Sequence, residues 1–155
     1  MTGISTVLLA ALAGLNPWVV LVIVVGLATF TRHAPLNEPY SRGATLVGLA
    51  IFAVVMGIEI VLSKLRRASR LFEPISLAAA MGTGAGLAPA LLPSGEDAVW
   101  LVPVGIFVAL IVRVGRYRLT RWLNEYLRPM GHIAASIVSD LLAGTLAAAV
   151  FALKL

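Results

Sequence analysis

Five apolar runs, at residues 4–31, 43–63, 75–92, 98–112 and 131–153, constrain this chain more than any other feature. A helix crossing the hydrocarbon of a bilayer needs about 20 apolar residues, in a range of about 17–25. The first, second and fifth runs meet that length. The third carries Pro89, and the fourth is short, with Pro103 in its first turns. The segments between them differ in kind. Residues 32–42 are polar and hold Pro35 and Pro39, 64–73 are basic, Ser94-Gly95-Glu96-Asp97 is an acidic turn, and 113–129 is rich in arginine. The expected fold is an all-α polytopic membrane bundle of about five transmembrane helices, one domain over 1–155.

Composition agrees. The chain is 60% hydrophobic and 12% charged, whereas a soluble domain is about 45–50% apolar and about 25% charged. That is too little charge to cover a water-facing surface and too much apolar surface for disorder. The absence of cysteine removes disulfides and thiolate metal sites. A net charge of +5 raises nucleic acid as a partner. Yet Lys64, Arg66, Arg67 and Arg70 sit in one connection, and Arg113, Arg116, Arg118, Arg121 and Arg128 in another. Basic residues gathered between apolar runs are the pattern of cytoplasmic loops, so no nucleic-acid partner is expected.

The first run has no Lys or Arg before Arg32 and exceeds the about 7–15 residues of a signal core, so it reads as a retained helix. Five spans put both basic connections on one side, against Arg32, Arg42 and Lys154 on the other. The expectation is an N-terminus in the cytoplasm and a C-terminus outside. Within the second connection, Leu119, Trp122, Leu123, Tyr126 and Leu127 share one helical face, opposite Arg118, Arg121 and Arg128. This predicts an interfacial amphipathic helix over about 117–128. Arg118, Arg121, Trp122, Tyr126 and Arg128 would there contact anionic lipid headgroups.

An offset of 55 residues aligns Leu46-Val47 with Leu101-Val102, Ile51-Phe52 with Ile106-Phe107, and Pro74 with Pro129. Helices two and three are therefore candidates for a parallel repeat of helices four and five.

Polar residues inside hydrocarbon are costly and call for a reason. Asp140 falls about 15 Å into the last helix, Asn16-Pro17 interrupts the middle of the first run, and Thr83 lies within Gly82-Thr83-Gly84-Ala85-Gly86. Asn16, Thr83 and Asp140 form a candidate midplane polar site of the kind that transporters with interrupted helices use. The competing reading is packing, because such glycine runs let helices approach closely. Glu59 and Arg113 fall at matching depths and are expected to pair as an intramembrane ion pair. Glu73, just before Pro74, reads as an acid in a first helical turn.

Nothing points to catalysis. His33 and His132 are expected on opposite membrane faces, and no HExxH, GxSxG or phosphate loop is present. No catalytic residue, cofactor or metal is expected.

Ala13-Gly14-Leu15-Asn16-Pro17, Glu59 with Lys64, Glu73-Pro74 and Ser136-Ile137-Val138-Ser139-Asp140 together resemble the domain-of-unknown-function family 4126, small bacterial membrane proteins. The resemblance implies a multi-pass protein of the bacterial inner membrane and transfers no catalytic residue. Five helices enclose little interior, so a homo-oligomer or a place in a larger membrane complex is expected. The expected function is an accessory or scaffold subunit of such a complex. The alternative is a small transporter or channel for an ion, a small solute or a lipid.

Overall fold

The computed structural model describes residues 2–31, 36–64, 66–92, 96–126 and 130–153, and every regular element in them is helical. In chain order they are α1 (Gly3–Leu15), α2 (Pro17–Phe30), a 3-10 turn (Tyr40–Gly43), α3 (Leu46–Lys64), α4 (Arg66–Leu91), α5 (Glu96–Tyr126) and α6 (Gly131–Ala152). Among the described residues, three segments are long and apolar enough to cross a membrane: Phe72–Leu91, Val99–Tyr126 and Ile133–Ala152. The other three helices are apolar but shorter.

The first apolar run is two helices rather than one over 4–31. Asn16 is extended (φ −150°, ψ 104°) and serves as both the C-cap of α1 and the N-cap of α2. Pro17 has no amide to continue the first helix, and its fixed φ suits the first position of the next. The contacts on either side give the two helices opposite senses. Gly3, Ala10 and Gly14 of α1 lie against Leu101, Gly105 and Ala109 of α5, so α1 runs alongside α5 in the same direction. Asn16 meets Asp140 and Val19 meets Gly144, so α2 runs in the direction of α6. Gly131 packs on the Leu123 carbonyl, so α6 turns back on α5. Thus α1 descends into the bundle to Asn16 and α2 climbs back out. Just past α2, the Asn37 amide donates to Ala90 O at the end of α4 (2.9 Å), and its side chain donates to the Pro89 and Leu92 carbonyls. The start of α1 and the ends of α2, α4 and α6 therefore share one end of the bundle.

Two further expectations change. The interfacial helix over 117–128 is the last third of α5, not a separate element. Between Arg113 and Tyr126 there is no proline, and one glycine is not enough to stop a helix rich in Arg and Leu. Glu73 is not in a first turn either, because α4 begins at Arg66 and holds Pro74 in its interior. The hairpins α3–α4 and α5–α6 run in the same sense, as a parallel repeat requires. The offset of 55 does not carry through their turns, since α5 is longer than α3.

Polarity is inverted relative to a soluble domain. The interior holds Ser5, Thr6, Asn16, Glu59, Thr83 and Arg113, all buried, beside Leu9, Ala13 and Val20. The exterior carries Ile51, Val54, Phe107, Ile111, Leu141 and Leu146, all more than two-fifths exposed. α4 and α5 touch closely at Gly84 and Gly105, where a Cβ on Gly84 would stand 2.6 Å from the Gly105 carbonyl oxygen. Without a hydrophobic drive between helices in lipid, such backbone contact is a main source of cohesion.

Candidate functional site

The break at Asn16 changes where backbone groups point. In an unbroken helix the Trp18 and Val19 amides would bond to Gly14 and Leu15 oxygens. Here both amides donate to Asn16 Oδ1, at 3.1 and 3.2 Å. Leu15 O is thereby released, and two guanidiniums meet it. Arg113 Nη1 donates to it at 3.5 Å, and Arg116 Nη1 donates to the same oxygen. Cations are thus set at the negative end of the α1 dipole. On the other side of the break, Asn16 Nδ2 donates to Asp140 Oδ1 at 2.8 Å, which holds a carboxylate at the positive end of α2. One residue of extended backbone therefore aims two helix ends at charges of opposite sign.

The same level of the bundle holds more charge. Glu59 of α3 is buried, its Oε1 accepts from Ser76 Oγ of α4 at 2.9 Å, and its Oε2 has no hydrogen-bond partner. Arg113 Nε is likewise buried and unpartnered. Glu59, Glu73 and Asp140 all act electrostatically on Arg113. With about 1.5 Å of rise per residue, Arg113 lies about 20 Å along α5 from the exposed Trp100 and about 14 Å from the exposed Trp122. Arg113 therefore lies about 3 Å from the midpoint between the two tryptophans, on the Trp122 side.

Asn16 and Asp140, read from the sequence as one site, are joined directly. Thr83 is buried on α4, but no hydrogen bond among the described residues links it to them. Glu59 and Arg113 are both buried at the matching depth, yet among the described residues no N–O contact within 4 Å joins them. The described ion pairs are exposed ones, Arg42–Glu38 and Arg121–Glu125. Glu59 bonds instead to Ser76 and Arg113 to a helix-end carbonyl, because each is closer to a local polar partner. Trp122 and Tyr126 stack tilted at 4.8 Å between ring centroids and are more than half exposed at the end of α5, with Arg118 and Arg121 exposed beside them. Arg128 and His33 lie outside the described residues. Ser76 and Arg116 belong to the site and were not singled out by sequence. Ser76 falls one turn after Glu73, and Arg116 falls three residues after Arg113, so helical spacing was the available signal.

No curated protein and no solved structure matches the chain. A family profile does, the one described as domain of unknown function (DUF4126), over residues 4–155, essentially the whole sequence. The chain, an apolar helical membrane protein, belongs to that family.

Proposed function

We propose that this protein is a small, non-enzymatic transporter or channel for an ion or small solute, with its site where the α1–α2 break meets Asp140. The carrying observation is the double role of Asn16, which ends one helix against two arginines and starts another against a carboxylate. Interrupted helices whose ends face a ligand site near mid-membrane are the construction that secondary transporters use, and irregular backbone at that depth is tolerated where it lines a polar interior. We further propose that the basic connections face the cytoplasm of a bacterial inner membrane. Because α1 and α2 form a re-entrant pair, this reading puts the beginning of α1 and the end of α6 both outside, in place of the N-inside arrangement that five straight spans imply. Arg118, Arg121, Trp122 and Tyr126 would then lie among anionic lipid headgroups.

The test is flux into proteoliposomes, read as sodium uptake and as pyranine-reported proton entry. The expected result is flux above that of protein-free vesicles, lost in Asp140→Asn while the variant's melting behaviour is unchanged. Absence of flux in the wild type, or its persistence in Asp140→Asn, overturns the reading. A scaffold subunit is the second reading, and one observation favours it. α3 presents Leu46, Val47, Ile51, Val54, Ile58 and Val61 as one exposed apolar face broad enough to seat a second subunit or copy. Its signature is a stable complex larger than the monomer after mild detergent extraction.

A further inference from the structure

We infer that Leu36 and Asn37 form a latch that keeps the far end of the bundle shut, so that the Asn16–Asp140 site is open to water from the basic end alone until the latch releases. The inference rests on the transport reading and adds its regulation: access from one side at a time, the property that separates a carrier from an open channel.

The first observation is a difference between the two halves of the interior. α1 and α2 meet at Asn16 and go no further toward the basic end. α6 starts beside Leu123, and Asp140 follows Gly131 by nine residues, so the break stops about 14 Å short of the α5–α6 turn. Six helices share the far half, and only α3 to α6 continue through the basic half. The filling differs too. Leu9, Ala13, Val20, Val24, Leu87 and Ala147 belong to one buried apolar cluster, which lies between the break and the far end. On the basic side, α5 and α4 carry Arg116, Thr120 and Glu73, all half-buried, and α6 adds Ser136. Arg116 reaches under the end of α1 to Leu15 O and is still not fully buried, so the space there opens toward the basic end. Irregular backbone at membrane depth is tolerated where it lines such a polar space.

The second observation is how the far end is fastened. Just past α2, Leu36 packs on the apolar cluster. Asn37 then donates its backbone amide to Ala90 O at 2.9 Å and its side-chain amide to Pro89 O at 3.0 Å and to Leu92 O. Tyr40 follows with its ring edge over Gly86, where Cε1 stands 3.7 Å from the place of a Cβ. The helix so fastened is weakest at this end. Pro89 has no amide to give to the Ala85 carbonyl, and Gly82, Gly84 and Gly86 precede it. Two residues thus tie the α1–α2 pair to a stretch of α4 that is built to bend. Release of the latch lets the pair rock about Asn16 as a hinge and opens the far half.

Thiol accessibility tests this without requiring flux. Single cysteines in the otherwise cysteine-free chain are reacted with a small membrane-impermeant methanethiosulfonate, applied to either side of sealed, oriented vesicles. Thr120→Cys should react only from the side of Tyr126, and Val24→Cys from neither side. Adding Asn37→Asp, which loses the side-chain donor, shifts the population toward the far-open form and should make Val24→Cys react from the side of Tyr40 about tenfold faster. Thr120→Cys should become no faster. Leu36→Ala keeps every Asn37 bond and removes only packing, so it is read in the same way if Asn37→Asp does not fold. Val24→Cys reacting from the Tyr40 side with the latch intact, Thr120→Cys failing to react from the basic side, or folded latch variants that leave Val24→Cys unreactive overturns the inference. The expected pattern in a protein without flux leaves a latched, one-sided cavity standing and removes transport. Flux without the pattern does the reverse.

Discussion

Asn16 carries three jobs with one residue: its Oδ1 caps α2, its Nδ2 holds Asp140, and its backbone turns the chain. Asn16→Ala removes the cap, which costs about 1 kcal/mol in a typical helix, and also strips Asp140 of its donor. The expected result is a clear drop in melting temperature, larger than for Asp140→Asn, which keeps hydrogen-bonding capacity. A sharper version uses charge. Asn16→Asp retains the cap but sets two carboxylates together, and it should be rescued by adding Asp140→Asn. Equal melting temperatures for the single and double variants would show that the two side chains do not meet. At this scale the sequence was legible in part. Asn before Pro in an apolar run and an Asp in a helix both stand out against hydrocarbon, so their pairing was open to reading. Glu59 and Arg113 stood out equally, but depth along two helices says nothing about rotation around them. Their partners, Ser76 and Leu15 O, depend on that rotation.

Along α1 the decisive group is the Leu15 carbonyl, met by Arg113 and Arg116. Either arginine can satisfy it when the other is lost. Arg116→Met should therefore be mild, Arg113→Met should cost more because it also takes a buried cation from Glu59, Glu73 and Asp140, and the double variant should be worse than the sum of the two by about 1 kcal/mol or more, the cost of a buried acceptor left without a donor. Additive melting shifts would contradict the shared carbonyl. The glycine run of α4 offers a second contrast between neighbours. A methyl group added at Gly82 would meet nothing within 4 Å, so Gly82→Ala should be neutral or stabilising by up to about 1 kcal/mol. Gly84→Leu would drive a side chain into the Gly105 backbone and should split α4 from α5, seen as loss of the folded species in detergent. The apolar runs announced these helices, but not their ends. α5 extends to Tyr126 because nothing in 113–126 stops it, while the first run is cut by two residues whose effect depends on tertiary support for the break.

Across the whole molecule, α5 gives the frame. Trp100 and Trp122, both exposed, are about 33 Å apart along its axis, close to the about 30 Å hydrocarbon thickness. The two aromatic residues bracket the apolar band, and the charged layer lies between them. The paired helices α1 and α2 reach that layer from one end and return to the same end, which is the feature on which the site, the orientation and the transport reading all depend. The sequence alone favoured a straight first span, since a run of this length can cross a bilayer unaided, and only the packing of α1 on α5 and α2 on α6 reveals the reversal. Because the chain has no cysteine, single cysteines report sidedness cleanly. The direct measurement is labelling of Thr2→Cys, Tyr40→Cys, Tyr126→Cys and Leu153→Cys in sealed, oriented vesicles with a membrane-impermeant maleimide. A re-entrant pair predicts that positions 2, 40 and 153 label from one side and position 126 from the other. Labelling of position 2 from the side of 126 would mean that α1 and α2 cross the membrane as a single span, and would contradict the account.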